Sequence, residues 1–222
     1  MFLCGFDIES VNDRRGRGRR RPGRGLPWSR AAWVACVLAL GLGVVGGLAP
    51  RAAAAPPSVS PDVRAKLLLK VLSYDRQLAQ RSGGRLVLAV ITDPAAPAAV
   101  RKDTARMADA LRAAAERFKV AKMRAEVVTV ELGPDLAQVL QARGATVVYA
   151  VPGTTQAPVV AAAALARHAP TLTTGREAVV AGMAVGIFDK GGRPGILINL
   201  PVAKALGMKL DAKLLRFAEL LR

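Results

Sequence analysis

Two rhythms of apolar residues alternate along this chain, and their order predicts an architecture. Between residues 63 and 81, Val63, Leu67, Leu68, Val71, Leu72 and Leu78 recur at helical spacing, and Ser82-Gly83-Gly84 stops the run. Ser60 and Asp62 are available to cap that helix at the end of a short Pro-rich linker, residues 56–62. Residues 85–91 (RLVLAVI) form a continuous apolar run of strand length, the pattern of a strand covered on both faces. A long Ala-rich helix over 96–118 follows, with Val100, Met107, Leu111 and Phe118 on one side and charges on the other. Strands over 126–132, 145–151 and 171–174 then alternate with helices over 134–142 and 157–168.

That alternation predicts an α/β fold, a largely parallel sheet with helices on both faces. Past residue 182 the rhythm changes. Residues 183–189 and 195–200 flank Lys190-Gly191-Gly192-Arg193-Pro194, which reads as an antiparallel hairpin. A helical turn over 201–206 is closed by Gly207, and an amphipathic C-terminal helix is predicted over 211–221. Residues 63–222 therefore read as a single domain.

The segment before it reads differently. Residues 14–30 are basic and rich in Gly and Pro, residues 31–50 are uncharged and apolar, and Arg51-Ala52-Ala53-Ala54-Ala55 follows. A basic stretch, an apolar stretch and small residues in that order make a secretory signal, so residues 1–55 are expected to direct export. Cleavage is expected near Ala54 or Ala55, leaving a periplasmic protein; a retained N-terminal anchor is the alternative. Cys36 lies near the start of the apolar run, whereas a lipidated cysteine would end it. Cys4 and Cys36 both precede the expected cut, so the mature chain would have neither thiol nor disulfide.

Charge narrows the partners. The chain has 33 Lys+Arg against 16 Asp+Glu, a net of +17. Nine basic and three acidic residues fall within 1–55, which leaves 24 against 13 and a net of +11. In the remainder, basic residues alternate with Ala and acids along helices, and aromatic residues are only 4% of the chain. No phosphate-tracking stripe or stacking platform results, so nucleic acid is not expected as a partner. The charge favours an acidic protein surface or contact with anionic lipid.

The same residues offer little catalytic chemistry. With His168 as the single histidine and no mature cysteine, a zinc site of the usual His/Cys type is excluded. Ser58, Ser60, Ser73 and Ser82 all precede the sheet and none sits in a Gly-x-Ser-x-Gly elbow. The glycines around Arg193 lack the Lys-Ser/Thr of a phosphate loop. Asp75 reads as a helix-surface residue, Asp93 as a strand-end residue, and His168 as a complement to a helix C-terminus. The expectation is a non-enzyme with no cofactor and no metal.

A binding site has one favoured place. Ligands of parallel α/β sheets gather outside the carboxyl ends of the strands. The loops there are Thr92-Asp93-Pro94, Pro152-Gly153-Thr154-Thr155 and Thr173-Thr174-Gly175. Their hydroxyls and backbone N–H groups could hold a small polar ligand or meet a partner; good loop-forming chemistry alone also accounts for them.

The C-terminal stretches Val179-Val180-Ala181-Gly182-Met183-Ala184-Val185-Gly186-Ile187-Phe188, Arg193-Pro194-Gly195-Ile196-Leu197-Ile198-Asn199-Leu200 and Leu206-Gly207-Met208-Lys209-Leu210-Asp211 resemble the end of the YfiR/HmsC family of periplasmic proteins. Leu214-Leu215-Arg216-Phe217-Ala218 matches the family's closing leucine pair, and residues 65–75 resemble its first helix. Gly186, Asn199, Leu214 and Leu215 are matched fold positions, carried over without a contact role. The resemblance implies a non-enzymatic regulator that binds the periplasmic domain of an inner-membrane sensor. In the best-known case that sensor is a diguanylate cyclase, which connects the family to cyclic-di-GMP and biofilm control. Better-known members carry disulfides, so a redox-controlled version is not expected here. A small periplasmic solute-binding protein is the alternative, and a homodimer is compatible with either.

Overall fold

The computed structural model describes residues 59–152 and 157–222. The expected export signal, its two cysteines, and the loop residues Gly153 and Thr154 lie outside that range. The chain begins with helices α1 (Pro61–Leu72) and α2 (Leu78–Arg81), then strand β1 (Leu86–Thr92) and helix α3 (Ala98–Arg117). Next come β2 (Ala125–Glu131), α4 (Leu136–Ala142), β3 (Val147–Ala150), α5 (Ala157–Leu165) and β4 (Thr171–Thr173). Helix α6 (Arg176–Val180) leads to β5 (Val185–Lys190) and β6 (Arg193–Asn199), and α7 (Leu200–Ala205), α8 (Ala212–Leu215) and β7 (Glu219–Leu221) finish the chain.

The strands form one seven-stranded sheet in the order β2-β1-β3-β4-β5-β6-β7. The first five are parallel, β6 runs antiparallel to β5, and β7 is parallel to β6. The predicted parallel α/β core ending in a hairpin is therefore present. The first six residues of β1 are all buried, as its unbroken apolar run predicts. Alternate residues feed two cores. Leu88, Val90, Tyr149, Leu172 and Val185 pack against α1, α3, α7 and α8. Ala89, Ile91, Val148 and Ala150 pack on the other face against residues of α4, α5 and α6. Gly191 and Gly192, with φ of 64° and 82°, form the two-residue hairpin turn whose left-handed geometry matches strand twist.

The predicted helix over 63–81 is broken at Asp75. Its helical spacing continues across the break, but Asp75 is buried and turns the chain. Asp75 Oδ1 accepts from the backbone N–H groups of Gln77 at 3.1 Å and Lys209 at 3.0 Å, and Oδ2 accepts from Arg81 Nη2. Arg81 Nη1 in turn donates to the Gly207 carbonyl at 2.9 Å. Asp75 is thus a buried staple between the first helices and the 206–210 turn, not the helix-surface residue its sequence context suggests. Around it, Arg76 N–H donates to Lys209 O and Asp211 N–H to Tyr74 O, both at 3.0 Å.

The C-terminal helix predicted over 211–221 is also shorter than expected. Asp211 caps it by accepting from Lys213 N–H at 2.9 Å, but it ends after Leu215. Residues 219–221 pair instead with Leu197–Asn199, satisfying backbone groups that β6 would otherwise expose at a sheet edge. Glu219 holds β7 in place, accepting from Arg176 Nη1 at 2.6 Å and Lys190 Nζ at 2.9 Å.

Those hydrogen bonds, from Arg176 first and then Lys190, hold the Glu219 carboxyl below its ordinary value. The Lys213 N–H and then Arg76 do the same for Asp211. A carboxylate with a depressed folded-state pKa adds stability above its unfolded pKa and loses it as pH falls through the folded value. At neutral pH the contribution of both groups is therefore expected to be fully present and to change little with pH, and to be lost as pH falls below the ordinary carboxylate range. Glu219→Gln should flatten part of that acid limb in urea titrations run at several pH values, and added salt should weaken it too.

His168 occupies a position that normally calls for glycine. Its φ is +50°, and it closes α5 with His168 N–H donating to Leu165 O and Ala169 N–H to Ala164 O. This pair of bonds is the Schellman arrangement, with His168 in the left-handed place. Its ring Nδ1 lies 3.3 Å from the Ala205 carbonyl at an exposed site. His168→Gly removes the left-handed penalty at the cost of one exposed hydrogen bond, so a gain of about 0.5–1 kcal/mol is expected in denaturant unfolding.

Candidate functional site

The described residues of the sequence-predicted loops sit at the carboxyl end of the parallel strands, but α3 divides them. Thr92, Asp93 and Pro94 line a cleft of about 370 Å³ on one flank of α3, together with Arg101, Thr104 and Arg112. Pro152 and Thr174 line a second cleft of about 370 Å³ on the other flank, where α3 faces α1. The separation follows from the sheet order. Strand β1 lies between β2 and β3, and the helix leaving its end crosses toward β2, so its exit loop opens on the outer side.

In the first cleft several of the polar groups already have partners. Asp93 is buried, its Oδ1 accepts from Ala95 N–H at 2.9 Å, and its carbonyl accepts from Ala96 N–H at 3.1 Å. It forms the turn that starts α3. Thr92 Oγ1 donates to the Val130 carbonyl at 3.3 Å, Arg101 to the Pro94 carbonyl at 3.1 Å, and Arg112 pairs with Asp109 at 2.7 Å.

The second cleft is built from different parts. Tyr149, fully buried on β3, places its hydroxyl 3.2 Å from Thr174 Oγ1. Burial pushes the Tyr149 hydroxyl far above its ordinary value, outweighing the opposing effects of the Thr174 bond and the Arg64 charge. It stays protonated, and a buried phenol proton needs an acceptor. The Tyr149–Thr174 pair carries two hydroxyl protons and shares one hydrogen bond, so one hydroxyl proton is left for the cleft that both residues line. Arg64 of α1 and Arg106 of α3 stand on opposite walls. Arg106 lies 3.6 Å from Asp103, whereas the Arg64 Nε is buried without a hydrogen-bond partner.

Thr173 and Gly175 line neither of these two clefts. Thr173 points to the opposite face of the sheet from Thr174, is buried, and its Oγ1 has no hydrogen-bond partner. Gly175 starts α6 and lies beneath Pro152, whose Cγ would be 2.6 Å from any added Cβ. Arg64 was missed by the sequence reading, although a signal exists. It shares a helical stripe with buried Leu68 and Val71, where a charge has to find a reason to be.

Residues 61–219 match the YfiR/HmsC-like family profile, which takes in α1 through the start of β7. The chain belongs to the YfiR/HmsC-like family. Within this YfiR/HmsC-like domain, the four matched positions have structural work. Gly186 lets β5 pass beneath α6, since an added Cβ would lie 2.5 Å from Val179 Cγ2. Asn199 ends β6 and caps α7, accepting from Val202 N–H at 3.3 Å and donating to the Val179 carbonyl at 3.1 Å. Leu214 is buried in the core beneath α8, with half-buried Leu215 packed against it.

None of the curated proteins compared with this YfiR/HmsC-like chain matches it. Solved structures do. An ABC domain from Streptococcus pneumoniae, in complex with L-Trp, aligns at a TM-score of 0.53 and 13% identity over 71% of this chain. A conserved domain protein from Vibrio cholerae gives the same TM-score, identity and coverage. CD0873 of Clostridium difficile, a substrate-binding protein with adhesive properties, aligns at 0.52 and 14% over 74%. The chain spans 60% of the length of each, and at these identities the likeness is one of fold.

Proposed function

We propose that this protein is an exported, non-enzymatic regulator of an inner-membrane signalling protein. It binds one conformation of the receptor's periplasmic domain and draws the population away from the active state. The receptor is a diguanylate cyclase or another sensor with a cytoplasmic output domain. The observation that carries this reading is the family match across residues 61–219, nearly all of the fold. The polar residues best suited to catalysis also have structural partners: Asp75 in a buried staple, Asp93 in a turn, His168 in a helix-closing bend. A mature net charge of +11 suits an acidic receptor surface.

A second reading, a solute-binding protein, is favoured by the cleft beside Tyr149 and by the substrate-binding protein among the fold neighbours. In-cell crosslinking of the tagged protein in intact envelopes, followed by mass spectrometry, separates the two. Recovery of one inner-membrane protein with a periplasmic sensor and a cytoplasmic signalling domain is the expected result. Recovery of the protein alone, or of a transporter, would favour solute binding.

A further inference from the structure

We propose that the cleft between α1, α3 and the ends of β3 and β4 binds a small organic acid with an apolar body, its carboxylate held by Arg64 and Thr174. The Arg64 guanidinium is half-buried on the cleft wall, meets no carboxylate within ion-pair distance among the described residues, and keeps its buried Nε without a hydrogen-bond partner. A guanidinium donor removed from water in this way is costly unless an acceptor reaches the group, and a carboxylate fits its planar fork. The Thr174–Tyr149 hydroxyl pair supplies a second donor, because one of its two protons is left over from their mutual hydrogen bond.

The rest of the cleft selects the kind of anion. Arg106 across the cleft is engaged by Asp103, so among the described residues Arg64 is the one lining cation without an ion-pair partner, and the Asp103 charge disfavours a second negative charge. That suits a monoanionic carboxylate better than a phosphate dianion. Val59, Pro61, Met107, Val151 and Pro152 add apolar patches to a lining that is otherwise more polar than apolar, and about 370 Å³ accommodates a ligand of roughly amino-acid size. One wall is anchored, since Val59 N–H donates to Asp189 Oδ2 at 3.1 Å and ties the start of α1 to the hairpin. The site stands independently of the regulator reading, and its test contains no receptor.

The test is isothermal titration of the purified mature protein with phenylacetate, phenylacetamide and inorganic phosphate. Phenylacetate is expected to bind in the millimolar range or tighter, with the neutral amide and phosphate each weaker by about tenfold. Arg64→Met, which keeps the side-chain bulk, should weaken phenylacetate by about tenfold or more, and Thr174→Val by about threefold or more. Circular dichroism checks that both variants fold; if Arg64→Met does not, Thr174→Val carries the comparison. Failure of phenylacetate to bind, equal binding of the amide, or unchanged affinity in a folded variant would overturn the proposal. Stronger binding of phosphate than of phenylacetate would overturn the assignment to organic acids.

Discussion

Asp75→Ala is expected to lower the unfolding free energy by about 3–5 kcal/mol, the cost typical of breaking a buried ion pair by removing one partner. The change leaves the Arg81 guanidinium, with a side chain only 17% exposed, without its carboxylate, and leaves the Gln77 and Lys209 N–H groups without their acceptor. For a domain of this size the midpoint of thermal unfolding should fall by about 6–20 °C. Asp75→Asn should cost less, because an amide oxygen can still accept from the two backbone donors. Arg81→Met in the Asp75→Ala background should recover part of the loss, since it removes the stranded charge. Urea titrations of the four proteins measure these terms. An Asp75→Ala variant within 1 kcal/mol of the parent, on the order of a surface substitution, would mean that the staple carries little of the fold's stability.

The second large effect is expected at Gly186. An added methyl would meet Val179 Cγ2 at 2.5 Å and the Gly175 carbonyl at 3.2 Å, so Gly186→Ala should cost about 1–3 kcal/mol through overpacking. Val179→Ala alone should cost about 1–2 kcal/mol through lost burial. Together they should cost less than the sum by about 1 kcal/mol, because the second change opens the space that the first one needs. The Gly175 carbonyl stays in place, so rescue should be partial. Strict additivity in a double-mutant cycle would place the strain elsewhere.

Much of the fold was legible in the sequence because the buried strands announce themselves. The 85–91 run has no polar interruption, and only a strand covered on both faces tolerates that pattern. The hairpin was legible from Gly191-Gly192, which supply the turn's left-handed geometry. What escaped depends on partners distant in sequence. The break at Asp75 is invisible to helical spacing, because what stabilises it is the Lys209 N–H far along the chain. Residues 219–221 are too few to show a strand period, and the unpaired edge of β6 decides their conformation. The described parts of the candidate loops lie at the carboxyl end of the strands, as their order along the chain predicts, but their division into two clefts depends on strand order, which local sequence does not encode. Arg64 and Asp75 share one feature that could have flagged both, a charge in line with the apolar stripe of the helix predicted over 63–81.

Helix α3 forms one wall of each cleft, with Arg101 and Arg112 on one flank and Asp103 and Arg106 on the other. Much of the face it buries is small, including Ala108, Ala110, Ala114 and Ala115. Small side chains let a helix sit close against its neighbours, and here the same helix backs both clefts. Were a ligand in one cleft to displace α3, the wall of the other cleft would move with it, and linkage would require each ligand to change the other's affinity by the same factor.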